Sequence, residues 1–170
     1  MKMDKKRRVW LVIFLLITAG WMVFIFYMSA RPAVELSGMS EGVSAWVARL
    51  LRPDYKSMPV TDWLAYLDVV HTVVRKIAHF TEYALLGVFF AVDVWLWKGR
   101  LGKLRHILLI AWLCGTAYAM SDEFHQLFVE GRSGELLDVL IDSSGTLVGV
   151  ASVCVIIHWI VLKRYRIICG

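Results

Sequence analysis

Few ionisable residues interrupt the apolar stretches of this chain, and those that do fall at helical spacing. Arg75, His79 and Glu82 stand at i, i+4 and i+7 and share one helical stripe, with Lys76 and Tyr83 beside them. Asp122 and Glu123 are followed by His125 and Gln126. Asp138 and Asp142 align with Gly145 and Gly149 on a third segment, and Arg132 lies between the second and third sets. Glu82 or Asp122 suits acid/base work with His79 or His125 as partner. Arg132 and the Arg75-Lys76 pair suit an anion such as a phosphate or carboxylate. Two histidines and several carboxylates also fit zinc or a harder divalent ion. The spacings His79-x-x-Glu82 and Asp122-x-x-His125 specify no one metal centre, so no metal ligand is assigned from sequence and the cofactor stays open. Ser121, Ser133, Ser143 and Ser144 are near, yet no nucleophile elbow surrounds them, and no residue is named as catalytic.

The elements that must position these residues follow from composition. Of 170 residues, 59 % are hydrophobic and 19 % charged, at a mean hydropathy of +0.63. A water-soluble monomer rarely has that balance. The charges cluster and leave apolar runs of about twenty residues, enough to cross a hydrocarbon core of ~30 Å. The expectation is an all-α integral membrane four-helix bundle in one domain, 1–170, with spans at about 9–28, 77–97, 107–129 and 136–162. A signal peptide is the competing reading of the first run. Its apolar part normally ends after about 7–15 residues at small side chains, whereas this run is longer and ends in Tyr27 and Met28, so an uncleaved anchor is expected.

Residues 29–76 form an external segment holding Pro32, Pro53 and Pro59. In it Ser40 can cap a short amphipathic helix whose Val43, Trp46, Val47, Leu50 and Leu51 share a face. That helix either lies in the membrane interface or packs on the rest of the protein; periodicity does not separate the two. Thr61-Asp62 is expected to cap the helix that carries the second span. On the third span the charges begin after Met120, and on the fourth Gly145 and Gly149 form a G-x-x-x-G that allows close helix approach.

The formal charge of +5 is unevenly spread. Lys2, Lys5, Lys6, Arg7 and Arg8 precede the first span, Lys98, Arg100, Lys103 and Arg105 share one connection, and Lys163, Arg164 and Arg166 close the chain. Short basic loops hold to the cytoplasmic side, so both ends are expected on the inner side of the membrane, and a nucleic-acid partner loses its support. Glu82, Asp122 and Asp142 then share the outer third of the membrane. At 1.5 Å per residue Glu82 lies about 8 Å below Ile77. Acids at that depth require partners, which implies an outward-facing polar pocket. Asp93, nearer the inner end, is expected to meet the basic loop. His106 and His158 read as interfacial or packed, and Trp10, Trp95, Trp97 and Trp159 as an aromatic belt. Cys114, Cys154 and Cys169 lack any C-x-x-C spacing and read as reduced packing residues.

Three ordered blocks carry a resemblance. They are Arg75-Lys76-Ile77-Ala78-His79-Phe80-Thr81-Glu82-Tyr83, then Ser121-Asp122-Glu123-Phe124-His125-Gln126, then Gly131-Arg132-Ser133-Gly134 with Asp138 and Asp142-Ser143-Ser144-Gly145. Together they closely resemble the VanZ-like family. The resemblance implies a small bacterial multi-helix membrane protein, in a family whose founding member is associated with resistance to the glycopeptide teicoplanin. It transfers no catalytic role to any residue. The expected partner is a membrane lipid or lipid-linked envelope ligand, with the oligomeric state open. The competing functions are an enzyme acting on an envelope lipid or lipid-linked precursor, and a proton-linked carrier relaying through Asp142 and Glu82. Four short spans without an inverted repeat count against the carrier.

Overall fold

In the computed structural model, residues 3–31, 33–98, 103–132 and 134–169 are described, with the side chains of 33–41, 162 and 164–169 outside that description. Five helices follow one another: α1 Lys5–Ser29, α2 Ala33–Leu51, α3 Val60–Lys98, α4 Leu104–Gln126 and α5 Leu136–Cys169, with one turn of 3-10 helix, Tyr55–Ser57, before α3. Helices α1, α3, α4 and α5 are each long and apolar enough to cross a membrane. The expected four-helix bundle is therefore present, and the segment after the first span contributes α2 and the first turns of α3.

Several boundaries differ from those expected. Helix α3 begins at Val60, directly after Pro59, whose ring closes the preceding turn without costing a helical hydrogen bond. Thr61 and Asp62 therefore lie within the first turn instead of capping it, where the Asp62 charge favours the helix N-terminus. Helix α4 stops at Gln126, short of residue 129. The Phe128 and Val129 amides turn back to the carbonyls of His125 and Gln126, and Gly131 adopts φ 73°, a left-handed conformation that reverses the chain toward α5. Helix α5 continues past 162 to Cys169, carrying the basic tail on the same rod. Ser40 now lies inside α2, its side chain among those not described.

Two clusters make the core. At the basic end Ala91, Val94, Ile107, Ala111, Val150, Val153 and Cys154 pack where α3, α4 and α5 meet. Toward the opposite end Ile25, Tyr83, Leu86 and Ala119 bring in α1. Between them α3 and α5 approach backbone to backbone. A Cβ on Gly145 would strike the Phe80 carbonyl, one on Gly149 the Ala84 carbonyl, and one on Gly87 the Thr146 carbonyl. Helix α1 is the peripheral element and buries only Thr18, Ile25 and Ser29. Its orientation is fixed at the basic end by Arg7, which donates to the carbonyls of Leu96 (2.5 Å) and Trp97 (2.7 Å) and so satisfies the C-terminus of α3.

Helix α3 has 39 residues, a rod of about 58 Å, so its first turns rise well beyond a ~30 Å core. Helix α2 packs there through the small residues Ser44 and Ala48, both fully buried. Its apolar face points away from the protein, with Val43, Trp46, Leu50 and Leu51 all more than half exposed. Trp10, Trp97 and Trp159 face outward from the bundle. Cys154 is buried as expected, but Cys114 is exposed on the outer face of α4; Cys169 lies outside the described side chains.

Because the α3–α5 contact leaves no room for a side chain, Gly145→Leu and Gly149→Leu should each cost about 1–3 kcal/mol or more in overpacking. Gly20→Leu, where no atom lies within 4 Å, should cost little. Thermal unfolding in detergent reads the difference; wild-type stability in both α5 variants would mean that the two backbones do not meet.

Candidate functional site

Polar side chains gather at the end of the bundle opposite the basic loops, and α3, α4, α5 and the α4–α5 turn each position some of them. On α3 the stripe of Arg75, His79 and Glu82 turns toward α5. Lys76 forms an ion pair with Asp138, and His79 Nδ1 stands 3.9 Å from Asp142 Oδ1. The Glu82 carboxyl lies within electrostatic reach of His79, Asp142, Asp122 and Arg132. Arg75, Lys76, His79, Asp138, Ile141 and Asp142 line a shallow groove between the two helices.

Deeper in the bundle the acids are more enclosed. Tyr83 is fully buried, and its hydroxyl donates to Asp122 Oδ2 at 3.3 Å. Asp122, Glu123, Gln126 and Asp142 are all buried. Gln126 Nε2 donates to Glu123 Oε1 at 2.9 Å, and the other oxygen of Glu123 accepts the Glu135 amide at 3.0 Å. Glu123 thereby places a carboxylate at the N-terminus of α5, where the helix dipole favours negative charge.

The turn residue Arg132 ties three elements together. Its Nη1 reaches Gln126 Oε1 at 3.3 Å, Nε the Arg31 carbonyl at 3.2 Å, and Nη2 the Met28 carbonyl at 3.4 Å. Burial, and after it the nearby Arg75 guanidinium, pull its pKa below the ordinary value.

Not every residue expected in the pocket joins it. The His125 ring stacks on Phe26 of α1, with centroids 4.4 Å apart, and Nε2 is buried without a partner. No described acid contacts it. Ser143 faces α4, where it receives the Trp112 indole N–H at 3.0 Å and pairs with Thr116 at 2.8 Å, while Ser121 and Ser144 bond to carbonyls of their own helices. None of these three is poised beside a base, and Ser133 lies outside the described residues. His106 and His158 are exposed.

The expectation for Asp93 is corrected. Instead of meeting the basic loop it is buried against α1, where Thr18 Oγ1 donates to Asp93 Oδ2 at 2.6 Å. Asp93 projects sideways between helices, not along the axis toward the connection, so a hydroxyl in mid-span became its partner. Sequence reasoning also missed Ser29, Trp21 and Tyr118. The Trp21 indole donates to the Glu82 carbonyl at 3.0 Å and the Tyr118 hydroxyl to the Met22 carbonyl at 2.6 Å. The available signal was position, since Thr18, Trp21 and Tyr118 all sit inside apolar runs, away from the ends that polar groups favour.

A bundle of four apolar, membrane-length helices with a polar groove at one end defines a multi-pass helical membrane protein. The VanZ/LLP1 family model matches residues 14–158, most of the chain and all of the groove and acidic cluster, and the chain belongs to that family. No curated protein and no solved structure matches it.

Arg132 bonds to acceptors on α4 and at the end of α1, so Arg132→Gln should destabilise the protein by about 1.5–3 kcal/mol, the usual worth of hydrogen bonds to a charged group. Arg132→Lys should recover less than half of that, because an ammonium lacks the planar fork that serves separated acceptors. Thermal unfolding in detergent measures both. Full stability of the lysine variant would show that charge alone, not the fork, holds the turn.

Proposed function

We propose that this protein acts at the outer face of the bacterial cytoplasmic membrane, where it holds the headgroup of a lipid-anchored or amphiphilic envelope ligand. The observation that carries the reading is the α3–α5 groove. It sets Arg75, the Lys76–Asp138 ion pair, His79 and the edge of Asp142 beside an apolar wall at Ile141, at the end of the bundle away from the basic loops. It suits one anionic or polar headgroup, with the apolar remainder of the ligand left along exposed residues of α5 such as Leu137 and Leu140. The orientation rests on the basic residues of α1, of the α3–α4 connection and of the C-terminal tail, all at one end and all therefore cytoplasmic. A glycopeptide-resistance role, of the kind associated with the founding member of the family it resembles, is one use of such a site. It works by altering access to, or the state of, a surface ligand.

A second reading is an enzyme that transforms such a ligand. The approach of His79 to Asp142 favours it, since a carboxylate that orients an imidazole is a common acid/base arrangement. Turnover of a lipid-linked precursor by purified protein, lost in His79→Gln, would select this reading over simple binding.

Two outcomes test the proposal. In a background lacking native thiols, a cysteine at Lys103 should be protected from an impermeant reagent in intact cells while one at Ser57 reacts; labelling at 103 from outside would reverse the orientation. Glu82→Gln, Asp122→Asn and Asp142→Asn should leave inserted, folded protein yet abolish any phenotype it confers, including altered teicoplanin susceptibility in a Gram-positive host. Full phenotype in all three amide variants would remove the pocket from function.

A further inference from the structure

Asp142 is fully buried, and neither of its carboxylate oxygens has a hydrogen-bond partner. Asp122 is 2 % exposed; one oxygen takes the Tyr83 hydroxyl and the other, Oδ1, is unpaired. Among the described residues no lysine or arginine forms an ion pair with either, since Lys76 is engaged with Asp138 and Arg132 with a side-chain amide and two carbonyls. His79 Nδ1, itself buried and unpartnered, stands 3.9 Å from Asp142. Oxygens of Asp122, Glu123 and Asp142 nonetheless lie within 4.8 Å of one another. From α1, outside this acidic set, Ser29 is 3 % exposed and sets its Oγ against Asp122 without a hydrogen bond of regular geometry. Buried carboxylates gathered in this way, with a spare hydroxyl facing them, are costly unless a positive charge sits among them.

We propose that Asp122, Glu123 and Asp142 form a binding site for one hard divalent cation, of the class of Mg²⁺, Mn²⁺ or Ca²⁺, with Ser29 and His79 flanking it. Oxygen ligands at about 2.0–2.6 Å from a common ion stand roughly 3–5 Å from one another, depending on whether they are neighbours or opposite. The observed spread falls inside that range. The free oxygens of Asp142 and Asp122 supply the principal ligands. Glu123 already accepts one hydrogen bond on each oxygen, from Gln126 and the Glu135 amide, and contributes a remaining lone pair. An all-oxygen set with an imidazole only at its edge selects a hard ion over zinc. The ion would hold α4 against α5 and fix the side of Asp142 that borders the groove. The site stands independently of what occupies that groove, because it requires no ligand.

The test uses the full chain purified in detergent, stripped with EDTA and titrated with Mn²⁺ at neutral pH, with free Mn²⁺ followed by electron paramagnetic resonance. Wild-type protein should bind one ion per chain and unfold at a higher temperature when Mn²⁺ or Mg²⁺ is restored. Asp142→Asn and Asp122→Asn should bind at least tenfold more weakly, while Asp93→Asn, which removes the buried acid bonded by Thr18, should bind as wild type. Wild-type protein that takes up no ion and gains no thermal stability from any would overturn the proposal whether or not the variants fold, and would assign the cluster to shared protons. Unchanged affinity in Asp142→Asn, or uptake of Zn²⁺ alone in a manner dependent on His79, would overturn it equally.

Discussion

The tight backbone contact of α3 against α5 sets the position of the groove residues. Inside a bilayer apolar side chains gain nothing by leaving lipid for each other, so helices associate where their surfaces allow the tightest packing. Gly145 and Gly149 let α5 rest on the carbonyls of Phe80 and Ala84, and Gly87 returns the favour opposite Thr146. Asp142 lies three residues before Gly145 and Asp138 seven before it, so the same face that fits the glycines must turn the aspartates toward α3. There they meet His79 and Lys76. Gly115 of α4 gives way to the Thr146 side chain in turn, so that one threonine takes part in both helix contacts. The carboxylates are kept out of lipid by a packing contact made about one turn below Asp142 and two below Asp138.

Helix α1 is held differently. It buries few side chains, and its contacts are a series of isolated polar bonds: Arg7 to the end of α3, Thr18 to Asp93, Trp21 to the Glu82 carbonyl, and its own Met22 and Met28 carbonyls to Tyr118 and Arg132. The Thr18 and Trp21 bonds lie within the span and the Arg7 bonds at its exposed basic end, and Ile25 adds apolar contact with Tyr83, Leu86 and Ala119. Ser29 and Phe26 at its far end lie against Asp122 and His125, so the placing of α1 bears directly on the acidic cluster.

The spans and the polar stripes were legible in the sequence because each depends on one helix. Twenty apolar residues, a G-x-x-x-G and a stripe at i, i+4, i+7 need no knowledge of neighbours. Partners across helices were harder to read. Depth implied that Glu82, Asp122 and Asp142 need partners, but which groups meet, Lys76 with Asp138 and His79 near Asp142, depends on how α3 and α5 are rotated against each other and was not read in advance. Depth misled for Asp93, whose nearest charges by level were basic but whose direction was sideways toward Thr18. It misled again for His125, which shares a level with the acids but turns onto Phe26. The end of α4 was also obscure, because Leu127, Phe128 and Val129 are as apolar as a span, and only the reversal at Gly131 separates them from it.

Asp142 belongs to two environments at once. It borders the groove that carries Arg75 and Lys76, and it completes the buried set with Asp122 and Glu123. The groove is open and carries Arg75 beside the Lys76–Asp138 ion pair. The cluster is closed and favours positive charge. The backbone at this boundary is held by Gly145 against the Phe80 carbonyl and by Thr146 Oγ1, which donates to the Asp142 backbone carbonyl at 3.0 Å, while the Asp142 side chain faces His79 Nδ1 at 3.9 Å.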